Sequence, residues 1–428
     1  MTLTELHLQR NAIGDIGAKH LSHALEINTT LTTLNIRSNR IGTMGIKYIV
    51  DALKHNKSLN NLNVAQNQIG DLGVQYLANL IEYNTTITFL NIGSHDIKDR
   101  GVQFLVDALR NNTNITSIYL DRNHINSSGA QYLADLLKTN KTLKTLNLHR
   151  NHIGNEGVQY LANALEQNTV LEELHLDDNR IGEQGAKHLA DGLIKSKRLI
   201  TLDLTNNQIG KEGALYLAQA LEHHRTLTSL SLGNNHVEDE GAQYLANALE
   251  TNKVLKTLVL RKNQIGNEGA NCFVSALKHN TNLKNLYLDE NEITDGKAIS
   301  AIVTFRDTNY DCIRLDFYGM GDNLIDLFAF GLQRNTNVQH ITLITNKIGD
   351  RGAQILASLI KNSTRLISLD LRSNHIGDQG ASYLADALIN NTTMTTLKLR
   401  GNEIGPSGTK YLIDAQQNRT TPIELEIN

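Results

Sequence analysis

Apolar side chains recur along this chain in two alternating patterns. A short stretch with apolar residues at every second position is followed, after a polar turn, by a longer stretch with apolar residues at helical spacing. In one copy, Leu146 and Leu148 alternate with polar neighbours, as in a strand that buries one face. Leu161 and Leu165 then follow at the spacing of a helix that buries one side. The pattern predicts short strands that alternate with amphipathic helices.

The alternation has a period of about 28 residues, and one asparagine marks each copy. It recurs at Asn11, Asn39, Asn67, Asn123, Asn151, Asn179, Asn207, Asn235, Asn263, Asn291, Asn346, Asn374 and Asn402, and His95 takes its place in the fourth copy. A buried amide at this point can bond the backbone of its own turn and of the adjacent copy, so we predict an asparagine ladder. A fixed period of this size indicates a solenoid, in which each copy depends on its neighbours.

Turn and helix-end residues also repeat. Glycines such as Gly154 and Gly157 permit a tight turn and a close approach of the helix. Asp15 and Asp99 are of a type that caps helix N-termini, so we predict that each caps its own helix. Asparagines near the helix ends, such as Asn56, predict a left-handed residue there.

Neighbouring strands lie ~4.8 Å apart, whereas packed helices need ~8–10 Å, so such an array must bend with its strands inside. We predict one α/β solenoid domain over residues 1–428, a right-handed horseshoe with about sixteen parallel inner strands and fifteen outer helices, in about 15 repeats. The spacing from Asn291 to Asn346 is 55 residues rather than two times 28, which makes 291–345 irregular. That stretch is either a decayed copy that still packs or a turn reshaped to meet a partner.

The motif L-x-x-L-x-L-x-x-N, seen in Leu143-Lys-Thr-Leu146-Asn-Leu148-His-Arg-Asn151, resembles the signature of leucine-rich repeats. With the following I-G-x-x-G and helix, it is similar to the ribonuclease-inhibitor-like subfamily, found in the sensor ends of NOD-like receptors and in Ran GTPase-activating proteins. The resemblance covers the whole chain and implies the horseshoe fold. It leaves the function open, because the motif residues build the scaffold and the binding face is free to vary.

Charge and cysteine content narrow the class of partner and the compartment. Lys and Arg total 41 against 44 for Asp and Glu, which argues against nucleic acid as the main partner. No apolar run approaches the ~18 residues that span a bilayer, and no signal-peptide pattern opens the chain, so no membrane association is expected. The two cysteines, Cys272 and Cys312, favour a reducing compartment. We expect a cytoplasmic protein, or an effector secreted into a host cytoplasm, that is a monomer or part of a larger chain.

The residues beside the second leucine of each strand are expected to face the inside of the curve and to meet a partner. The candidates are Tyr119, Asp177, Asp178, Asp203, Arg261, Tyr287, Asp289, Glu290, Asp316 and Tyr318. Because tyrosine is enriched at binding hot spots, the predicted centre is the later group, from Tyr287 to Tyr318. The carboxylates around Asp177 are the second candidate. A solvated polar face, which any soluble copy needs, is the alternative interpretation.

The sequence predicts binding rather than catalysis. The histidine pairs His20 with His23 and His149 with His152 offer too few convergent ligands for a metal, so neither a metal nor a cofactor is expected. We predict a protein that recognises another protein, either as the ligand-sensing end of a NOD-like-receptor type of chain or as a stand-alone interaction protein. A GTPase-activating protein of the Ran type is the alternative, and Arg40 would then be the candidate contact.

Overall fold

The computed structural model describes residues 3–293, 299, 311–316, 318–332 and 337–427. The chain divides into two compact units, unit 1 from Met1 to Leu255 and unit 2 from Lys256 to Asn428. Both units alternate strands with helices, as the apolar pattern predicts. One domain over the whole chain stays a prediction.

Within residues 3–255, unit 1 contains nine three-residue strands and nine helices. The strands are β1 (Glu5–His7), β2 (Thr33–Asn35), β3 (Asn61–Asn63), β4 (Phe89–Asn91), β5 (Ser117–Tyr119), β6 (Thr145–Asn147), β7 (Glu173–His175), β8 (Thr201–Asp203) and β9 (Ser229–Ser231). The helices are α1 (Gly14–Ile27), α2 (Thr43–Leu53), α3 (Gly70–Tyr83), α4 (Asp99–Leu109), α5 (Ser127–Thr139), α6 (Gly154–Gln167), α7 (Glu183–Lys195), α8 (Gly210–His223) and α9 (Glu238–Thr251). Each strand pairs in parallel with the next, one repeat later in the sequence.

Unit 2 continues the same order of elements. Its strands are β10 (Thr257–Val259), β11 (Asn285–Tyr287), β12 (Cys312–Arg314), β13 (His340–Thr342), β14 (Ser368–Asp370), β15 (Thr396–Lys398) and β16 (Glu424–Glu426). Its helices, among the described residues, are α10 (Asn267–Leu277), α11 (Asp322–Leu332), α12 (Asp350–Asn362), α13 (Asp378–Ile389) and α14 (Pro406–Asn418). β10 pairs with β11, and β12 to β16 form a parallel sheet. Of residues 294–310, only the helical Ile299 belongs to the described part of the chain.

The core of each unit lies between the sheet and the helices. In β7 the middle residue, Leu174, is fully buried, and its two neighbours are partly exposed on the other side. Leu161 and Leu165 of α6 are buried as predicted. The predicted α/β leucine-rich-repeat architecture with parallel strands is therefore confirmed in each unit. The exposed side of each sheet is called the strand face below.

The predicted asparagine ladder is also confirmed. Asn39 Nδ2 donates to the carbonyl of Leu8 in the preceding copy at 2.8 Å and to that of Ile36 in its own copy at 3.0 Å. The Oδ1 of Asn67 in turn accepts from the backbone N–H groups of Asn39 and Ile41, both at 2.9 Å. The amides of Asn39 and Asn67 thus join neighbouring copies through buried backbone groups that have no access to water.

The helix-start prediction is wrong in its geometry. Asp15 makes no capping bond within its own helix. Its Oδ1 accepts from the backbone N–H groups of Gly42 and Gly45, at 2.7 and 3.0 Å, at the start of the next helix. A Cβ on Gly45 would lie 2.5 Å from that oxygen, so glycine is needed there for the cap to form. The carboxylates of Asp99, Asp350 and Asp378 cap the following helix in the same way.

The left-handed helix end is likewise not found. Asn28, which ends α1, has an extended backbone, with φ −76° and ψ 130°. The equivalent Asn56 accepts at Oδ1 from the N–H groups of Ser58 and Leu59, at 3.0 and 2.8 Å. Its Nδ2 donates to the carbonyl of Leu25, one copy earlier, at 3.0 Å. Hydrogen bonding to the next strand and the previous helix, rather than backbone conformation, explains asparagine at this position.

Candidate functional site

The strand face of unit 1 presents its side chains in rows that cross the strands. His175 lies beside Asn147 on one side and Asp203 on the other, because the parallel register sets residues one repeat apart next to each other. Asp177 follows His175 by two residues, with the buried Leu176 between them, and so lies on the same face. One part of this face combines aromatic, acidic and histidine side chains. We call it the central patch, formed by Phe89, Tyr119, Asp121, His149, His175, Asp177 and Asp203.

Three side chains of the central patch converge. One ligand-type atom from each of His175, Asp177 and Asp203 lies within 4.8 Å of the other two, and all three residues are partly exposed. The sequence places Asp177 and Asp203 in one candidate group but does not single out His175. The signal that could have found His175 is the period itself, because a shift of 28 residues carries position 175 onto position 203.

His149 and the carboxylates around it perturb one another. Its Nδ1 pairs with Oδ2 of Asp177, and this contact raises the pKa of His149 against the opposing effect of burial. Burial raises the pKa of Asp121, and His149 partly offsets this. Burial also raises the pKa of Asp203, with a smaller contribution from the charge of Asp177. The central patch therefore holds partly desolvated carboxylates, whereas the neighbouring Asp178 pairs with an arginine, Arg150, at 3.4 Å.

An aromatic pair borders these carboxylates. The rings of Phe89 and Tyr119 are tilted by 46° with their centroids 5.1 Å apart. Burial raises the pKa of Tyr119, and the charges of Glu173 and Asp121 add to the effect. Tyr119 is thus placed on the strand face as predicted. The sequence analysis did not identify Phe89. The signal that could have found it is an aromatic residue at a strand position that holds Ser, Thr or Asn in most copies.

The residues of the predicted centre in unit 2 differ in exposure and in their ion pairs. Tyr287 is 41% exposed, at the end of β11. Asp289 lies 3.3 Å from Nε of Arg261, and Glu290 lies 3.7 Å from the Nη2 of the same side chain. These two carboxylates are therefore neutralised in part by Arg261, itself a predicted site residue.

Asp316 and Tyr318 are less exposed than Tyr287. Asp316 is buried, with only 9% of its surface exposed. It accepts from the N–H of Ile344 at 2.9 Å and from Nε of Arg314 at 2.5 Å. The register of β12 with β13 sets Tyr318 one repeat before Asn346, so it stands at the ladder position, where it is partly buried. Asp316 follows the second strand leucine, as Asp177 and Asp289 do, but it is buried, whereas Tyr318 takes the place of a ladder asparagine. A binding centre from Tyr287 to Tyr318 stays a prediction.

Comparisons with known proteins fit the repeat. Models of the Leucine Rich repeat match residues 1–22, 28–50, 55–78, 83–106, 223–246, 251–274, 362–385 and 390–412. A model of the TMOD/LMOD Leucine-rich domain matches residues 96–208, which include all of the central patch except Phe89. The finer assignment to the ribonuclease-inhibitor-like subfamily stays a prediction.

Other comparisons add little. No curated protein matches the sequence. Among solved structures, an internalin (inlF) from Listeria monocytogenes str. 4b F2365 is 21% identical, with 95% of this chain and 94% of that chain covered and a TM-score of 0.44. That similarity is too low to carry an argument. None of the helices in the described residues has the length and apolar character that a membrane span requires.

Proposed function

The chain is a leucine-rich-repeat protein, and we propose that it binds a protein partner through the strand face of unit 1, at the central patch. The observation that carries the proposal is the aromatic pair of Phe89 and Tyr119 beside partly desolvated carboxylates. Aromatic side chains supply large contact area at interfaces, and they are enriched among the residues that dominate binding energy. A face with both features favours recognition over a purely solvated surface.

Charge sets the class of partner. Asp121 lies next to the aromatic pair and raises the pKa of Tyr119 through its charge. A partner segment that sets an apolar side chain on the two rings and a Lys or Arg at Asp121 complements this arrangement. Electrostatic complementarity of this kind mainly speeds encounter and fixes the register of binding. The proposed partner is therefore a protein segment that combines basic and apolar residues.

A random peptide library displayed on phage tests the proposal without knowledge of the host. The wild-type chain is compared with a Phe89→Ser, Tyr119→Asn double variant, whose new residues occupy the same repeat positions in other copies, as Ser117 and Asn147 do. Tyr287→Asn is the matched control, because Tyr287 stands at the repeat position of Tyr119 in unit 2.

The wild type and the control should enrich peptides in which Lys or Arg stands near an apolar residue, and the double variant should not. Binding of the enriched peptides should weaken as salt rises. Equal enrichment by all three proteins would place the site outside the central patch. Loss of enrichment in the Tyr287→Asn control alone would move the centre to Tyr287.

The cellular setting of this recognition is proposed separately. It is either the ligand-sensing end of a NOD-like-receptor type of chain or a stand-alone interaction protein, including an effector that acts in a host cytoplasm. The GTPase-activating alternative rests on Arg40, which is exposed in a turn with φ of 56°. An assay of GTP hydrolysis by candidate GTPases, with the wild type and an Arg40→Ala variant, tests that alternative directly.

A further inference from the structure

We propose that His175, Asp177 and Asp203 bind a divalent transition-metal ion of the Zn²⁺ type. One donor atom from each lies within 4.8 Å of the other two. Donors on one tetrahedral Zn²⁺ ion, at ~2.0–2.2 Å from it, are ~3.4 Å apart. Small rotations of the three side chains are therefore enough to bring them onto one ion.

The backbone under these side chains is fixed. His175 and Asp177 stand two residues apart on one strand and its extension, and Asp203 is the register partner of His175 on the next strand. Leu176, between His175 and Asp177, and Leu202, next to Asp203, are fully buried in the core. Donors carried on strands of a packed sheet keep their separation, which is what a metal site needs.

Contacts outside the trio orient the two carboxylates. Asp203 accepts at Oδ1 from the N–H of Thr205 at 2.9 Å. Asp177 pairs at Oδ2 with His149. Each carboxylate thus has one oxygen held by the protein, which restricts the rotation of the side chain. Outer partners of this kind are typical of the residues that support metal ligands.

The donor set selects the class of ion. One imidazole and two carboxylates suit Zn²⁺ and related first-row divalent ions, whereas Ca²⁺ takes six to eight oxygens. Three protein donors leave at least one coordination position of a Zn²⁺ ion for water or for a group from a partner. The ion would neutralise Asp177 and Asp203, whereas the proposed partner meets Asp121, which is not a donor. The metal site and the partner site therefore use different carboxylates, and the metal inference does not depend on the proposed partner.

The chain itself supplies conservative variants. Asn occupies the strand position of His175 and Asp203 in several other copies, at Asn35, Asn63, Asn91 and Asn147. Asn147 Oδ1 accepts from the N–H of His149 at 2.9 Å, as Asp203 does from Thr205, so Asn preserves this local bond. His175→Asn and Asp203→Asn are therefore expected to fold.

Asp370→Asn is the matched control. Asp370 stands at the same repeat position as Asp203, but Arg372 neutralises it, with Nη2 at 2.7 Å from its Oδ2. The wild type and the three variants, purified without a histidine tag and treated with EDTA, are titrated with Zn²⁺ by calorimetry. Thermal unfolding in EDTA first verifies that each protein is folded, and Co²⁺ absorption reports the donor atoms directly.

The wild type and Asp370→Asn should bind one equivalent of Zn²⁺ at this site, and His175→Asn and Asp203→Asn should bind it at least about tenfold more weakly. Absence of binding by the wild type, or equal affinity in all four proteins, would overturn the proposal, because the chain has 16 histidines that could hold Zn²⁺ elsewhere. Tighter binding of Ca²⁺ than of Zn²⁺ would show that the imidazole of His175 is not one of the donors. The Phe89→Ser, Tyr119→Asn variant should keep its Zn²⁺ affinity, which separates this test from that of the proposed function.

Discussion

Asp15 caps a helix that belongs to the next copy, through the bond from the N–H of Gly42 to its Oδ1 at 2.7 Å. Gly42 is then extended, with φ −93°. Where the preceding copy has Thr43 instead of an aspartate, the equivalent Gly70 has φ +58°. Asn155 restores the cap, and the equivalent residue of the following copy is extended again. The residue type at the position of Asp15 in one copy is thus correlated with the backbone conformation of the turn in the next copy.

Glu238 marks a copy in which this relationship produces strain. The preceding copy has Lys211 at the capping position, and Glu238 stands in the turn with φ 58°, where four other copies have a left-handed glycine. A non-glycine residue pays ~1–2 kcal/mol for that conformation, and glycine loses part of the gain through its freer unfolded state. Glu238→Gly should therefore stabilise the chain by about 0.5–1 kcal/mol. Urea denaturation measures the change in the free energy of unfolding. Glu238→Ala is the control, because it removes the side chain but keeps the strained backbone. An equal stabilisation by both variants would contradict the argument.

His95 interrupts the ladder. It is 2% exposed, and among the described residues neither ring nitrogen makes a hydrogen bond of normal geometry, although backbone groups of Asn67 and Val64 interact with the ring. An asparagine there can make the bonds that Asn39 and Asn67 make in their own copies. His95→Asn should therefore raise the free energy of unfolding by ~1–3 kcal/mol, the cost of leaving such groups unpaired. Urea denaturation checks the sign, and His95→Ala, which restores no bond, should not stabilise; a destabilised His95→Asn would show that the imidazole packs better than the amide.

Two buried histidines are expected to make the protein less stable in mild acid. Burial lowers the pKa of His95 to about 4, although backbone groups of Asn67 and Val64 and the charge of Asp96 partly oppose this effect. Burial, with a contribution from the charge of Arg225, also lowers the pKa of His224 to about 4. Because the unfolded chain binds protons at these sites near pH 6.5, stability should fall as pH drops from about 6.5 to about 4 and should stay level above that window. For His95 the loss reaches about 3 kcal/mol.

The measurement is the melting temperature against pH for the wild type and for a His95→Asn, His224→Asn double variant. Asn is the usual residue at both repeat positions, so the variant keeps the scaffold. Its melting temperature should fall less between pH 6.5 and 4 than that of the wild type. Parallel curves would mean that carboxylates alone set the acid sensitivity.

The period predicted the strands, the helices and the ladder because each copy repeats the same buried positions. It misassigned the caps because Asp15 acts on the following copy, which a reading of one copy cannot reveal. The trio around His175 escaped notice for a related reason, since its members come from two copies and meet only through the sheet register.

The ladder should matter more to stability than exposed charge on the strand face. Asn207 is 5% exposed; its Nδ2 donates to the carbonyls of Leu176 and Leu204, and its Oδ1 accepts from two N–H groups of the preceding copy. Asn207→Ala leaves these buried groups without partners and should cost at least ~1–3 kcal/mol. Arg261→Ala removes an exposed ion pair with Asp289 and should cost under ~1 kcal/mol, and Arg150→Ala provides the same control within unit 1. Urea denaturation of the three variants compares these costs. Equal unfolding midpoints for all three would show that the ladder is not a main source of stability.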